Sequence, residues 1–172
     1  MTYWGFLAMV AIIGSWLAYN FTSASRPPTV EEYIAGAGQG ARLAPPGFRL
    51  SGVTPACHGL PIVLDPALDD VAATHPGFII LNEERLSKLP KVVQLYAFAH
   101  ECGHQTHGPS EEKADCQAIV DGKAAGWLDA AGITAICDFW KPYRGDNAHL
   151  PGPERCALMK RCLTEGLSAA SG

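Results

Sequence analysis

The residues with the clearest chemical potential are His100-Glu101-Cys102-Gly103-His104, two imidazoles and a carboxylate in the spacing H-E-x-x-H. An α-helix turns about 100° per residue, so His100 and His104 stand only about 40° apart around its axis and one turn apart along it. Both imidazoles can then reach one metal ion, for which zinc is the natural candidate. Glu101 lies about 100° round from His100. That puts its carboxylate beside the metal and outside the ligand set, where it can accept a proton from water. Cys102 falls roughly 180° from the middle of the histidine face, so its thiol turns away from the metal and toward a disulfide partner.

A zinc site that leaves one position open for water needs a third protein ligand. Two residues compete for that role. His107 continues the histidine stripe at only about 20° off in angle, but its Cα lies roughly 10 Å along the axis from His100. Glu111 follows a break at Gly108 and Pro109 that can turn the chain back toward the metal. Asp115 lies four residues later, on the same face of the next helix as Glu111. There it can accept a hydrogen bond from a ligand imidazole, fixing its tautomer and raising its basicity.

H-E-x-x-H followed by E-x-x-x-D resembles the gluzincin metallopeptidases. The fuller form, Ala99-His100-Glu101-Cys102-Gly103-His104 and then Glu111-Glu112-Lys113-Ala114-Asp115-Cys116, is similar to the E-x-x-A-D signature of the prenyl-protein and heat-shock-type membrane metallopeptidases. Small secreted bacterial neutral zinc metallopeptidases carry similar segments. The resemblance covers about Phe78 to Gly126, with a weaker echo over Gly145 to Arg155. It implies that His100, His104 and Glu111 hold Zn²⁺, that Glu101 is the general base, and that Asp115 supports a ligand histidine. It also suggests an oxyanion-stabilising role for His149, although Leu150 separates His149 from the proline that follows. Only six residues separate His104 from Glu111, a shorter turn than most of that group has. By the same resemblance the run Phe78 to Leu81 is an edge strand to which an extended substrate adds, with a plain core strand as the alternative.

These residues need elements to hold them. Leu60 to Leu64 and Phe78 to Leu81 read as strands of a small sheet, each beside turn-forming Pro or Gly. A helix beginning near Ser87 runs through His104 and stops at Gly108 and Pro109. Ser110 is placed to cap the next helix, with Glu111 and Glu112 in a first turn that favours carboxylates, and the pattern continues to about Leu128. A shorter helix is expected over Ile133 to Trp140. Another opens at Gly152 and Pro153 and carries Cys156, Met159 and Cys162. The reading is a small zincin-like α+β domain, mainly helical, with a short sheet before the active-site helix.

Residues 3 to 21 form an uncharged apolar run, read as a helix that is either a cleaved signal or a membrane anchor. This organises the chain as targeting segment 1–25, a Pro- and Gly-rich linker 26–56 around a short helix near Thr29 to Ala35, and a catalytic domain 57–172. Six cysteines all lie beyond residue 56 and point to disulfides in a secreted, periplasmic or membrane-tethered protein, with fifteen pairings open. A net charge of −4, with 13 basic against 17 acidic residues and no basic cluster, gives nucleic acid no reason to bind. The expected activity is peptide-bond hydrolysis on a peptide or protein substrate. The alternatives are a non-catalytic envelope binding module with a peptidase-like zinc site, and a zinc hydrolase of a non-peptide amide.

Overall fold

A computed structural model describes residues 26–170. The apolar segment expected as an N-terminal helix, signal or anchor lies outside the described residues. Among those described, no helix is long and apolar enough to cross a membrane.

The chain is α+β. In order it forms α1 (Val30–Gly36), β1 (Arg42–Leu43), β2 (Ile62–Leu64), β3 (Ala72–His75), β4 (Phe78–Leu81) and α2 (Glu83–Ser87). Then come α3 (Lys91–His107), α4 (Glu111–Ala124), α5 (Ala130–Trp140), α6 (Gly152–Glu165) and a terminal 3₁₀ turn, Gly166–Ala170. The four strands form one mixed sheet in the order β1-β2-β4-β3. β2 runs parallel to β4, while β1 and β3 are antiparallel to their neighbours.

All four residues of β4 are buried, because the sheet is covered on both faces. Leu64, Ala72, Ile79 and Leu81 pack with Leu95, Phe98 and Cys102 of α3. Val63, Phe78 and Ile80 face Val30, Tyr33 and Ile34 of α1 on the other side. The sheet therefore props α3 from one flank. A helical core built on Tyr96, Ile119, Ile136 and Met159 props it from the other.

Several expectations change here. β4 lies between β2 and β3, so Phe78–Leu81 is the interior strand of the alternative reading, and the edges are β1 and β3. The segment expected as a linker belongs to the packed unit. Its helix is closed by a capping box between Thr29 and Glu32, its residues 42 and 43 pair with β2, and Leu50 is buried. α4 ends at Ala124, short of Leu128, because Gly126 takes a left-handed backbone (φ 74°) and the chain turns. α5 starts at Ala130 under the side chain of Asp129, which accepts from Gly132 N–H at 2.8 Å. Ser110 occupies the cap position of α4 but makes no side-chain cap bond.

All six cysteines pair: Cys57 with Cys102, Cys116 with Cys162, and Cys137 with Cys156. The bridges tie the loop before β2 to α3, α4 to α6, and α5 to α6. Three disulfides fit an oxidising environment outside the cytoplasm.

Candidate metal centre

Two close approaches bring the site together. At Gly103 an added Cβ would lie 2.8 Å from Ala114 Cα and 2.9 Å from Ala114 O. The glycine inside the H-E-x-x-H motif thus lets α4 lie directly on α3, which carries Glu111 and Asp115 to the histidines. At Gly152 an added Cβ would lie 1.9 Å from Trp140 O, so the start of α6 can tuck against the end of α5 and place Arg155 inside.

His100, 6% exposed, is pinned from behind. Its Nδ1 lies 2.8 Å from Asp115 Oδ1. Arg155 donates to both oxygens of Asp115, Nε to Oδ2 at 2.7 Å and Nη2 to Oδ1 at 2.6 Å, and the Tyr96 hydroxyl donates to Oδ1 as well. The Arg155 guanidinium also stacks on the Trp140 ring at 4.4 Å. Asp115 and Arg155 are 2% and 3% exposed, so this is a buried charge pair with its hydrogen bonds made. Asp115 stands where the sequence reading placed it, behind a candidate ligand.

His104, one turn on, sets its Nδ1 2.6 Å from the carbonyl of Gly108, the residue that ends α3. His149 comes from the loop before α6, where its Nδ1 lies 3.0 Å and 3.1 Å from the two carboxylate oxygens of Asp146. All three imidazoles therefore face an acceptor with Nδ1. In the neutral ring that places the proton on Nδ1 and leaves a lone pair on Nε2.

Those three Nε2 atoms converge. His100 Nε2 and His104 Nε2 are 3.1 Å apart, with the rings nearly perpendicular. Glu111 Oε2 is 3.0 Å from His100 Nε2 and 3.0 Å from His149 Nε2, while Oε1 is 3.5 Å from His104 Nε2. Oε2 is buried, and the ring nitrogens of His100 and His149 are the groups that face it. His100, Glu111 and His149 form a compact group whose ligand atoms all lie within 4.8 Å of one another, able to hold a metal ion. Lone pairs and a carboxylate brought this close repel one another unless a proton or a metal cation sits among them. The donor set, nitrogen and oxygen in close array, fits a divalent metal.

The electrostatics agree. Burial would lower the His100 imidazole, but its bond to Asp115 and the facing Glu111 carboxylate outweigh burial and lift it to about 9. Carboxylates that favour a proton at Nε2 favour a metal cation there for the same reason, and the two compete. For Asp115, burial pushes upward, yet the bonds to His100 and Arg155 bring it down to about 2. Glu111 is likewise lowered, its burial outweighed by the neighbouring histidines.

Glu101 behaves differently. Burial raises its carboxyl more than the charges of His100 and His104 can lower it. It makes no hydrogen bond to another described residue and lines a cleft of about 630 Å³ together with His100, His104, Glu111 and His149. The far wall of this cleft is β3 and the turn that follows it. His107 is directed elsewhere, its Nε2 3.0 Å from Gln117 Oε1, and it does not line the cleft.

The structure thus brings His100, Glu101, His104, Glu111, Asp115 and His149 together and leaves His107 out. Sequence reasoning gave no role to Arg155 or Asp146. Both lie in the Gly145–Arg155 segment marked by the weaker resemblance, which assigned neither of them a role. A second group with metal-ligating atoms, Cys57, His58 and Cys102, has its two sulfurs joined in a disulfide. No protein-family model, curated protein or solved structure matches the chain.

Proposed function

We propose that the chain is a zinc-dependent, zincin-like metallopeptidase. The observation that carries this reading is the convergence of three Nε2 atoms on the Glu111 carboxylate, those of His100 and His149 at Oε2 and that of His104 at Oε1, with the free Glu101 carboxylate alongside. His100, His104 and Glu111 would hold the ion. Zinc bound in such a set supplies Lewis acidity, making water more acidic and a carbonyl more electrophilic.

The protein side of the chemistry follows from position. Glu101, raised by burial, accepts the proton of the attacking water and returns it to the departing amine. Its lack of any hydrogen bond keeps it available for that exchange. His149, oriented through Nδ1 by Asp146, presents Nε2 where charge develops on the carbonyl oxygen and stabilises it once protonated. β3 takes the role first expected of Phe78–Leu81. The bond from Asn82 N–H to Val71 O makes those residues a hydrogen-bonded pair. Pairing alternates along an antiparallel ladder, so Ala72 and Thr74 turn their backbone N–H and C=O away from β4. An extended peptide can add to that free edge, beside Glu101.

The compact His100, Glu111 and His149 group favours one second reading, in which His149 is a fourth ligand and the site is closed, as in a non-catalytic binding module. Metal analysis combined with a chelator-sensitive assay on an unfolded protein tests the function. Stoichiometric zinc with chelator-sensitive cleavage is expected. Stoichiometric zinc without cleavage of any protein or peptide would sink the peptidase. His149→Ala separates the two roles: a catalytic His149 leaves zinc affinity intact, and a ligand His149 does not.

A further inference from the structure

We infer that Gln105 is a positioning residue that locks the substrate-accepting edge to the metal-binding helix. The inference rests on the peptidase reading and extends it to how the two walls of the cleft keep their spacing. Gln105 follows His104 directly in α3, yet its side chain is spent entirely on the β3–β4 hairpin. Its Oε1 accepts from Gly77 N–H at 3.0 Å. Its Nε2 donates to His75 O at 2.7 Å, to Phe78 O at 3.2 Å and to Thr74 Oγ1.

Two N–H hydrogens thus serve three acceptors, and the amide orientation follows from the partners, since Gly77 N–H needs an oxygen and the carbonyls need a donor. The clamp falls on the tightest part of the hairpin. Gly77 has φ 95°, a left-handed conformation that glycine adopts readily, and Pro76 precedes it. No other side chain of α3 hydrogen-bonds this hairpin. β3 has a ladder partner on one side only, so without Gln105 its position relative to the metal helix would rest on apolar packing and on that single ladder.

A strand edge that binds substrate main chain must hold its distance to the reacting atoms. A displacement of about 1 Å costs on the order of a hundredfold in rate. Gln105 fixes that distance through the residue next to a ligand. It lines the cleft, but every hydrogen bond of its side chain goes to the hairpin, through which it acts.

The test uses the full chain with Gln105→Ala and Gln105→Met, the second keeping side-chain length and apolar bulk while removing every hydrogen bond. In both variants amide exchange at Gly77 should become faster, while zinc affinity by calorimetry should stay within about twofold of the parent. For peptides long enough to run along β3, kcat/KM should fall by about tenfold, mostly through KM, and for a short substrate that reaches only the metal it should change little. Unchanged Gly77 exchange in both variants overturns the clamp whatever the activity. Equal losses on long and short substrates overturn the role in substrate alignment. If the zinc-loaded parent cleaves nothing, the peptidase reading fails, and the exchange data still decide whether Gln105 holds the hairpin.

Discussion

The two walls of the cleft are built by opposite means. The helical wall, formed by α3, α4 and α6, backs His100 with a connected polar network: His100 to Asp115, Asp115 to Arg155 and Tyr96, Arg155 on Trp140. Disulfides join this wall beside its functional residues, at Cys102 after Glu101, Cys116 after Asp115 and Cys156 after Arg155. The strand wall, β3, is four residues long, carries the small side chains of Ala72, Ala73 and Thr74, and leaves its outer backbone groups unpaired. Rigidity is concentrated around the group that could hold a metal ion. The open, unpaired edge is where an incoming chain can bind, and Gln105 couples the two.

Glu101→Gln is the sharpest way to break the helical wall's chemistry without touching its framework. Zinc should remain bound at parental affinity while hydrolysis falls by about 10³-fold or more, as read by calorimetry and a peptide-cleavage assay. Full activity in that variant would show that Glu101 is not the base.

Next in size is Arg155→Ala, which strands the buried Asp115 carboxylate. Removing one partner of a buried pair costs about 3–5 kcal/mol in stability, measurable by urea unfolding. Zinc affinity should fall by about 10- to 100-fold as His100 loses its fixed orientation. A stable variant with unaltered zinc binding would mean that the network behind His100 is dispensable.

Gly103→Ala tests whether the closeness of α3 and α4 matters. The methyl group meets the Ala114 backbone, so about 1–3 kcal/mol of destabilisation is expected, together with weaker zinc binding as Glu111 is pushed off the histidines. A neutral effect on both would show that the helices tolerate wider spacing.

The smallest effect belongs to the strand wall. Asp70 lines the cleft, and no Lys or Arg does. Asp70→Lys should shift kcat/KM from cationic toward anionic peptides by about fivefold at low salt, with the preference fading as ionic strength rises. Identical charge preferences in the two proteins would remove Asp70 from substrate selection.

How much of this was legible in the chain depended on range. α3, α4 and their His100, Glu101, His104, Glu111 and Asp115 could be read because helical periodicity relates residues three and four apart by geometry alone. β3 was invisible because Ala72-Ala73-Thr74-His75 has neither β-rich composition nor alternation, and becomes a strand only by pairing with β4. The edge role of Phe78–Leu81 was implied by the resemblance alone, with a core strand as the alternative. Its apolar run fits burial on both faces, but which strand lies outside is a matter of sheet order. Residues 26–56, rich in Pro and Gly, resemble a linker in composition, yet tertiary packing gives them a cap, a strand and a core leucine.

The chain by itself determined that two imidazoles and a carboxylate share one helix, that a carboxylate pair opens the next, and that an even set of cysteines accompanies them. These are relations within one or two turns, fixed by the backbone's own pitch. Only the tertiary structure decided that His149 turns inward while His107 does not, that Arg155 stands behind Asp115, how the six cysteines pair, and that β3 faces the cleft. Those contacts join residues 19 to 55 positions apart, across which local geometry carries no information, and they form because helices and strands bury apolar faces against one another.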